Sequence, residues 1–90
     1  MRAKLICYSL KNFTASERVA FRRHVYGFKD YSNNSKYSYK RDGIMSSIQH
    51  RKILDCVIIV KDSDAQQIVK VMRKHKATVH VFPILAPFKL

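Results

Sequence analysis

Between Arg22 and Arg41 five aromatic residues, Tyr26, Phe28, Tyr31, Tyr37 and Tyr39, interleave with six cations, Arg22, Arg23, Lys29, Lys36, Lys40 and Arg41. Aromatic rings stack on unpaired bases for about 1 to 3 kcal/mol each, while neighbouring cations hold the phosphate backbone. That pairing of residue types is suited to RNA. The expected phosphate contacts are Arg18, Arg22, Arg23, Lys29, Lys36, Lys40 and Arg41, and the expected stacking residues are Tyr31, Tyr37 and Tyr39. A chain of 90 residues also needs aromatic mass inside, so some of these rings must serve the core.

The overall composition points the same way. Eighteen Lys and Arg stand against six Asp and Glu, a net charge of +12. Hydrophobic residues make up 47%, too many for a disordered basic tail, whose apolar burial could not offset the chain entropy lost on folding. The charge therefore sits on a folded surface, and a polyanion is the partner that neutralises it. Residues 1–52 hold 12 of the Lys and Arg and 3 acids, while Arg73, Lys74 and Lys76 form a second patch. Phosphate attraction is common to RNA and DNA. RNA, either ribosomal or otherwise structured, is preferred because the loop is tyrosine-rich and no helix suits a major groove. The expectation is a non-enzymatic, cytoplasmic component of a ribonucleoprotein such as the ribosome.

Catalytic groups are sparse. His24, His50, His75 and His80 are scattered without zinc-ligand spacing, and six acids leave little for two-carboxylate chemistry. No metal, cofactor or catalytic set is expected. The alternative is a small ribonuclease or toxin-like nuclease in which His50, beside Arg51 and Lys52, or Tyr39 moves a proton. A further alternative is a homodimeric protein-interaction module that adds a strand at a sheet edge, with Pro87-Phe88 docking on a partner. Cys7 and Cys56 lack a CxxC spacing and read as buried reduced thiols. The longest apolar runs, Val57 to Val60 and Val79 to Phe82, fall far short of the roughly 20 residues that cross a bilayer. The basic-then-apolar N-terminus reads as a strand, since no small-residue cleavage site follows it.

The elements that must position these residues follow from periodicity. Residues 3–10 read as a central strand, apolar on both faces. Thr14 and Glu17 form a capping box that starts a helix ending at Gly27. On that helix Ala15, Val19, Phe21, Val25 and Tyr26 form a broad apolar arc, with Arg18, Arg22 and Arg23 as a cationic row. Residues 28–36 carry turn residues and no period. Residues 36–41 alternate as a half-exposed edge strand, Asp42-Gly43 turns the chain, and residues 44–52 form a polar connector. Ile53 to Val60 reads as one buried strand. A helix capped by Asp62 or Ser63 follows, with Ala65, Ile68, Val69 and Met72 as its stripe. Residues 78–84 form the last strand, stopped by Pro83 and Pro87. The order β-α-β-β-α-β predicts an α+β, ferredoxin-like sandwich: a four-stranded antiparallel sheet, two helices on one face, and a single domain over 1–90 with a short tail at 86–90.

This order is similar to that of the RNA recognition motif. That family carries a basic, glycine and aromatic signature on its third strand, where this chain has Leu54-Asp55-Cys56-Val57-Ile58-Ile59. The resemblance implies the architecture only, with bases held on the second strand and its loop and with recognition of backbone and shape. The small CRISPR adaptation endonucleases are also short, dimeric and ferredoxin-like. They place an acidic residue at the end of the first strand to hold a metal, whereas this chain has Tyr8-Ser9-Leu10-Lys11 there.

Overall fold

Strand β1 (Arg2–Ser9) runs up the middle of a four-stranded antiparallel sheet because both of its faces are apolar. The computed structural model describes residues 2–32 and 37–87 and, within them, the side chains of all but residues 31, 32, 37 and 38. Strand β1 pairs on one side with β5 (Val57–Lys61), setting Leu5 opposite Ile59 and Ile6 opposite Ile58. On its other side lies β6 (Thr78–Leu85), and β4 (His50–Leu54) closes the far edge on β5. The order across the sheet is β4-β5-β1-β6.

Two helices cover one face of this sheet. Helix α1 (Ala15–Tyr26) starts as its sequence dictates, with the Glu17 amide donating to the Thr14 hydroxyl at 3.2 Å and the Thr14 amide donating to the Glu17 carboxylate at 2.9 Å. Helix α2 (Ala65–Lys74) buries Ala65, Ile68 and Met72. The core joins Ile6, Tyr8, Ile58 and Val60 of the sheet to Phe21 and Val25 of α1 and Ile68 and Met72 of α2. The opposite sheet face holds a small cluster of Ala3, Ile59 and Ala86 with Leu5 and Ile84 packed on it. Both cysteines are half-buried free thiols. Among the described residues no helix is long and apolar enough to cross a membrane.

The middle of the chain departs from the sequence reading in two linked ways. Residues 37–41 do not form a sheet edge. They are strand β3 (Tyr37–Arg41), which pairs with β2 (Phe28–Ser32) in a separate two-stranded sheet. The segment read as a turn-rich loop is thus half strand: hairpin pairing satisfies its backbone without needing an amphipathic period. The vacant edge is filled by β4 from the polar connector, whose preceding residues Ile44–Ser47 form a short 3-10 turn with Met45 buried. The apolar run Ile53 to Val60 is correspondingly two strands. Residues 55 and 56 turn, held by the Tyr8 amide on the Cys56 carbonyl and the Tyr8 hydroxyl on the Asp55 carbonyl, both at 3.0 Å.

Smaller corrections have local causes. Only Phe21 and Val25 of the α1 arc are buried, and Val19 is 46% exposed, because the helix meets the core along a narrow line. Neither Asp62 nor Ser63 makes a capping bond to α2. Residues Asp62–Asp64 form a 3-10 turn instead, and Asp62 pairs with Lys4 at 3.2 Å. Pro83 does not end the last strand: β6 is an edge strand, where a missing amide is tolerated. The tail residues 88–90 lie outside the described residues.

The hairpin is planted on α1 by two glycines. Gly27 has φ 82° and ψ −179°, a conformation open essentially to glycine alone. A Cβ there would stand 2.4 Å from the Arg41 carbonyl oxygen and 2.8 Å from the Gly43 nitrogen. Gly27→Ala adds backbone strain to a steric overlap and is expected to destabilise the protein by roughly 2 to 5 kcal/mol. Urea unfolding monitored by circular dichroism should show a lower midpoint at unchanged slope; a change under about 0.5 kcal/mol would mean the two segments do not cross this closely.

Candidate nucleic-acid interface

Opposite residues of an antiparallel pair point to the same side, so the β2-β3 register sorts the hairpin side chains. Lys29 lies directly opposite Lys40, giving one side two lysines. The other side carries Phe28 opposite Arg41 and Asp30 opposite Tyr39. Arg41 reaches Asp30 at 3.5 Å, with both side chains about half exposed, an ion pair worth little in water. Tyr39 is 53% exposed. The Lys29-Lys40 juxtaposition is unfavourable by a few tenths to about 1 kcal/mol.

The hairpin stands away from the body. Its strands contact chiefly each other, and the molecule measures 47 × 30 × 20 Å with a radius of gyration of 14.4 Å, against about 12 Å for a compact chain of this length. At its base the Arg23 guanidinium lies 4.6 Å over the Phe28 ring, a contact worth about 0.5 to 1 kcal/mol at an exposed site. That contact aligns the end of the α1 row with the ribbon. Arg18, Arg22 and Arg23 are all exposed, and Arg18 and Arg22 share a face at i, i+4.

The structure therefore brings together Arg22, Arg23, Lys29, Tyr39, Lys40 and Arg41, with Arg18 one turn further along α1. Lys36 lies outside the described residues. Tyr31 and Tyr37 have described backbones within the hairpin, and their side chains lie outside the description. Two other rings are not surface platforms: Tyr26 is half-buried and Phe28 is partly covered by Arg23.

A contact invisible in the sequence joins the second basic patch to the first. His24, near the end of α1, and His75, just past α2, meet with Nδ1 and Nε2 2.9 Å apart, and the His75 ring packs edge-on against Phe21 at 5.7 Å. Arg73, Lys74 and Lys76, which flank His75, are exposed. No spacing rule relates residues 51 positions apart; only the packing of α1 on α2 does.

The residues named for nuclease chemistry lie in different sheets. Tyr39 belongs to the hairpin and His50 to the main sheet, where its Nδ1 lies 2.9 Å from the Ile48 carbonyl oxygen. Among the described residues no three His, Cys, Asp or Glu side chains gather at metal-binding distance. Comparison with protein-family models, with curated proteins and with solved structures finds no match.

Burial lowers the basicity of His75, helped by the nearby His24 and Lys74. A histidine whose folded pKa is depressed contributes stability that is complete above its unfolded value near 6.5 and declines as pH falls below it. Thermal unfolding should occur at lower temperature at pH 5.5 than at pH 7. The difference should shrink in His75→Gln, which keeps a hydrogen-bonding group but cannot titrate. An undiminished difference would place the pH dependence elsewhere.

Proposed function

We propose that this protein is a non-enzymatic RNA-binding protein, a ribonucleoprotein component such as a ribosomal or ribosome-associated factor, with the protruding basic hairpin and the α1 arginines as its contact surface. The observation that supports this reading best is the pairing of Lys29 with Lys40 on a hairpin whose strands contact chiefly each other beyond its base. An isolated two-stranded hairpin is marginal in water, and two directly opposed cations weaken it further. A phosphate between the lysines turns that repulsion into attraction. On the other side of the ribbon, exposed Tyr39 supplies a stacking surface beside Arg41. As for architecture, we infer an elaborated ferredoxin-like sandwich: with the β2-β3 hairpin taken as an insertion, the order of the remaining elements is β-α-β-β-α-β.

The hairpin also supports a second reading. A two-stranded ribbon fits the roughly 12 Å major groove of B-DNA, whereas the deep major groove of A-form RNA excludes side chains. The two readings separate on Tyr39, which stacking on unpaired bases requires and groove insertion does not.

Fluorescence anisotropy with single-stranded RNA should give a log-log salt slope near roughly −4 if about six phosphates are neutralised. A flat salt response would remove the electrostatic basis of the proposal. Lys29→Glu should reduce that slope by about 0.7 or more without loosening the hairpin, since Glu opposite Lys40 is a favourable pair. Tyr39→Ala should weaken single-stranded RNA binding by about 1 to 3 kcal/mol at unchanged slope. Tighter binding of duplex DNA, indifferent to Tyr39→Ala, would favour the second reading.

A further inference from the structure

Behind the hairpin lies a cleft of about 420 Å³ between the end of α1 and the β4-β5 turn, lined by Tyr8, Arg22, Tyr26, Lys52, Asp55 and Cys56 among others. Two phenol hydroxyls meet there at 2.7 Å. Because the Tyr8 hydroxyl is committed to the Asp55 carbonyl, the Tyr26 hydroxyl is the donor in this pair, and its own oxygen accepts nothing among the described residues. Lys52 places its ammonium 5.4 Å from the Tyr26 ring centroid, and Arg22 is close enough to act electrostatically on Tyr8. Arg22 has no hydrogen bond or ion pair among the described residues. Lys52 has one ion pair among the described residues, to the fully exposed Asp55 carboxylate at 4.0 Å.

We propose that this cleft binds the terminal phosphate monoester of a nucleic-acid strand, with Arg22 and Lys52 holding the charge and Tyr26 rotating its O–H onto a phosphate oxygen. The site deepens the RNA-binding reading and rests on it. Three observations favour a strand end over a strand passing by. The cleft is concave and lies at the small end of the range for ligand pockets. Its two cations, Arg22 and Lys52, outnumber its one carboxylate, Asp55, and this net positive lining attracts a monoester, −1.5 to −2 at pH 7, more strongly than a singly charged diester. And the rotation of the Tyr26 hydroxyl leaves the Tyr8 bond to Asp55 in place, so filling the site does not disturb the turn.

The chemistry is recognition rather than cleavage. Burial holds both phenols above the ordinary tyrosine range. Neither ring is a base or nucleophile near neutral pH, and a neutral phenol is the form that donates to a phosphate oxygen. The Asp55 carboxylate is the one group that opposes the ligand, competing for Lys52.

The test compares the full chain binding to RNA hexamers carrying a 5′-phosphate, a 3′-phosphate or hydroxyls at both ends, at one salt concentration, with the ratio of affinities as readout. One phosphorylated form should bind about tenfold tighter than the hydroxyl form. Tyr26→Phe and Lys52→Gln should each bring the ratio toward one, and Asp55→Asn, which keeps the backbone carbonyl that Tyr8 uses, should raise it. Equal binding of all three hexamers, or a ratio that survives the Tyr26→Phe, Lys52→Gln double variant, would overturn the cleft while leaving the hairpin reading intact. Should no hexamer bind, the RNA reading itself fails. The cleft is then judged by titrating inorganic phosphate against the tyrosine ring signals in NMR: shifts at Tyr8 and Tyr26 uphold an anion site, and their absence rejects it.

Discussion

Gly27 and Gly43 pass each other so closely that neither has room for a Cβ: one built on Gly43 would stand 2.3 Å from the Gly27 nitrogen and 2.6 Å from the Val25 carbonyl. The rest of the molecule's surface chemistry depends on this crossing. It brings the chain off α1 into the hairpin and takes it back out against the same helix end, so the ribbon leaves the body beside Arg22 and Arg23. With a bulkier residue at either position the hairpin base would have to move, and the Arg23 guanidinium would lose its seat on Phe28. A backbone constraint thus sets where the cations of two separate elements stand.

Tyr8 does the equivalent work on the inner side. Its ring lies 5.4 Å from that of Phe21, its amide and hydroxyl hold the two carbonyls of the β4-β5 turn, and its oxygen accepts a hydrogen bond from the Tyr26 hydroxyl. One residue in the central strand therefore ties α1 to the turn that carries Asp55 next to Lys52. A phenol suits the position because one end is apolar enough to be buried and the other keeps two hydrogen bonds. The conditions that bury the ring also form the floor of the cleft.

The two basic surfaces differ in what holds them. The hairpin gains little from the core and carries opposed lysines, so its order is cheap to change. The α1-α2 end is fixed by Phe21, which is wholly buried, and by the contact of His24 with His75. A polyanion meeting both would find one rigid and one adaptable contact, an arrangement that lets a small protein follow an irregular surface without giving up a defined anchor.

Elements specified by short-range rules were legible in the residues. Thr14 and Glu17 cap α1 through contacts three positions apart, Gly27 is positive in φ, the Ile68 and Met72 stripe is buried, and β1 is central because it is apolar on both faces. The exposure of the α1 arginines and of Tyr39 also followed from local pattern. Pairing partners did not. Residues 37–41 alternate as well in a hairpin as at a sheet edge, and the eight largely apolar residues from Ile53 satisfy one strand or two, because a period of two says which face a side chain takes and nothing about which strand lies beside it. The turn at residues 55 and 56 was settled by Tyr8, 47 positions away, and the patch around His75 by a helix contact across 51. Amino-acid order alone set the charge, the two helices and the central strand; the tertiary structure decided which apolar residues are buried, where the basic ribbon is planted and which phenols meet, since those depend on contacts between residues that no local period connects.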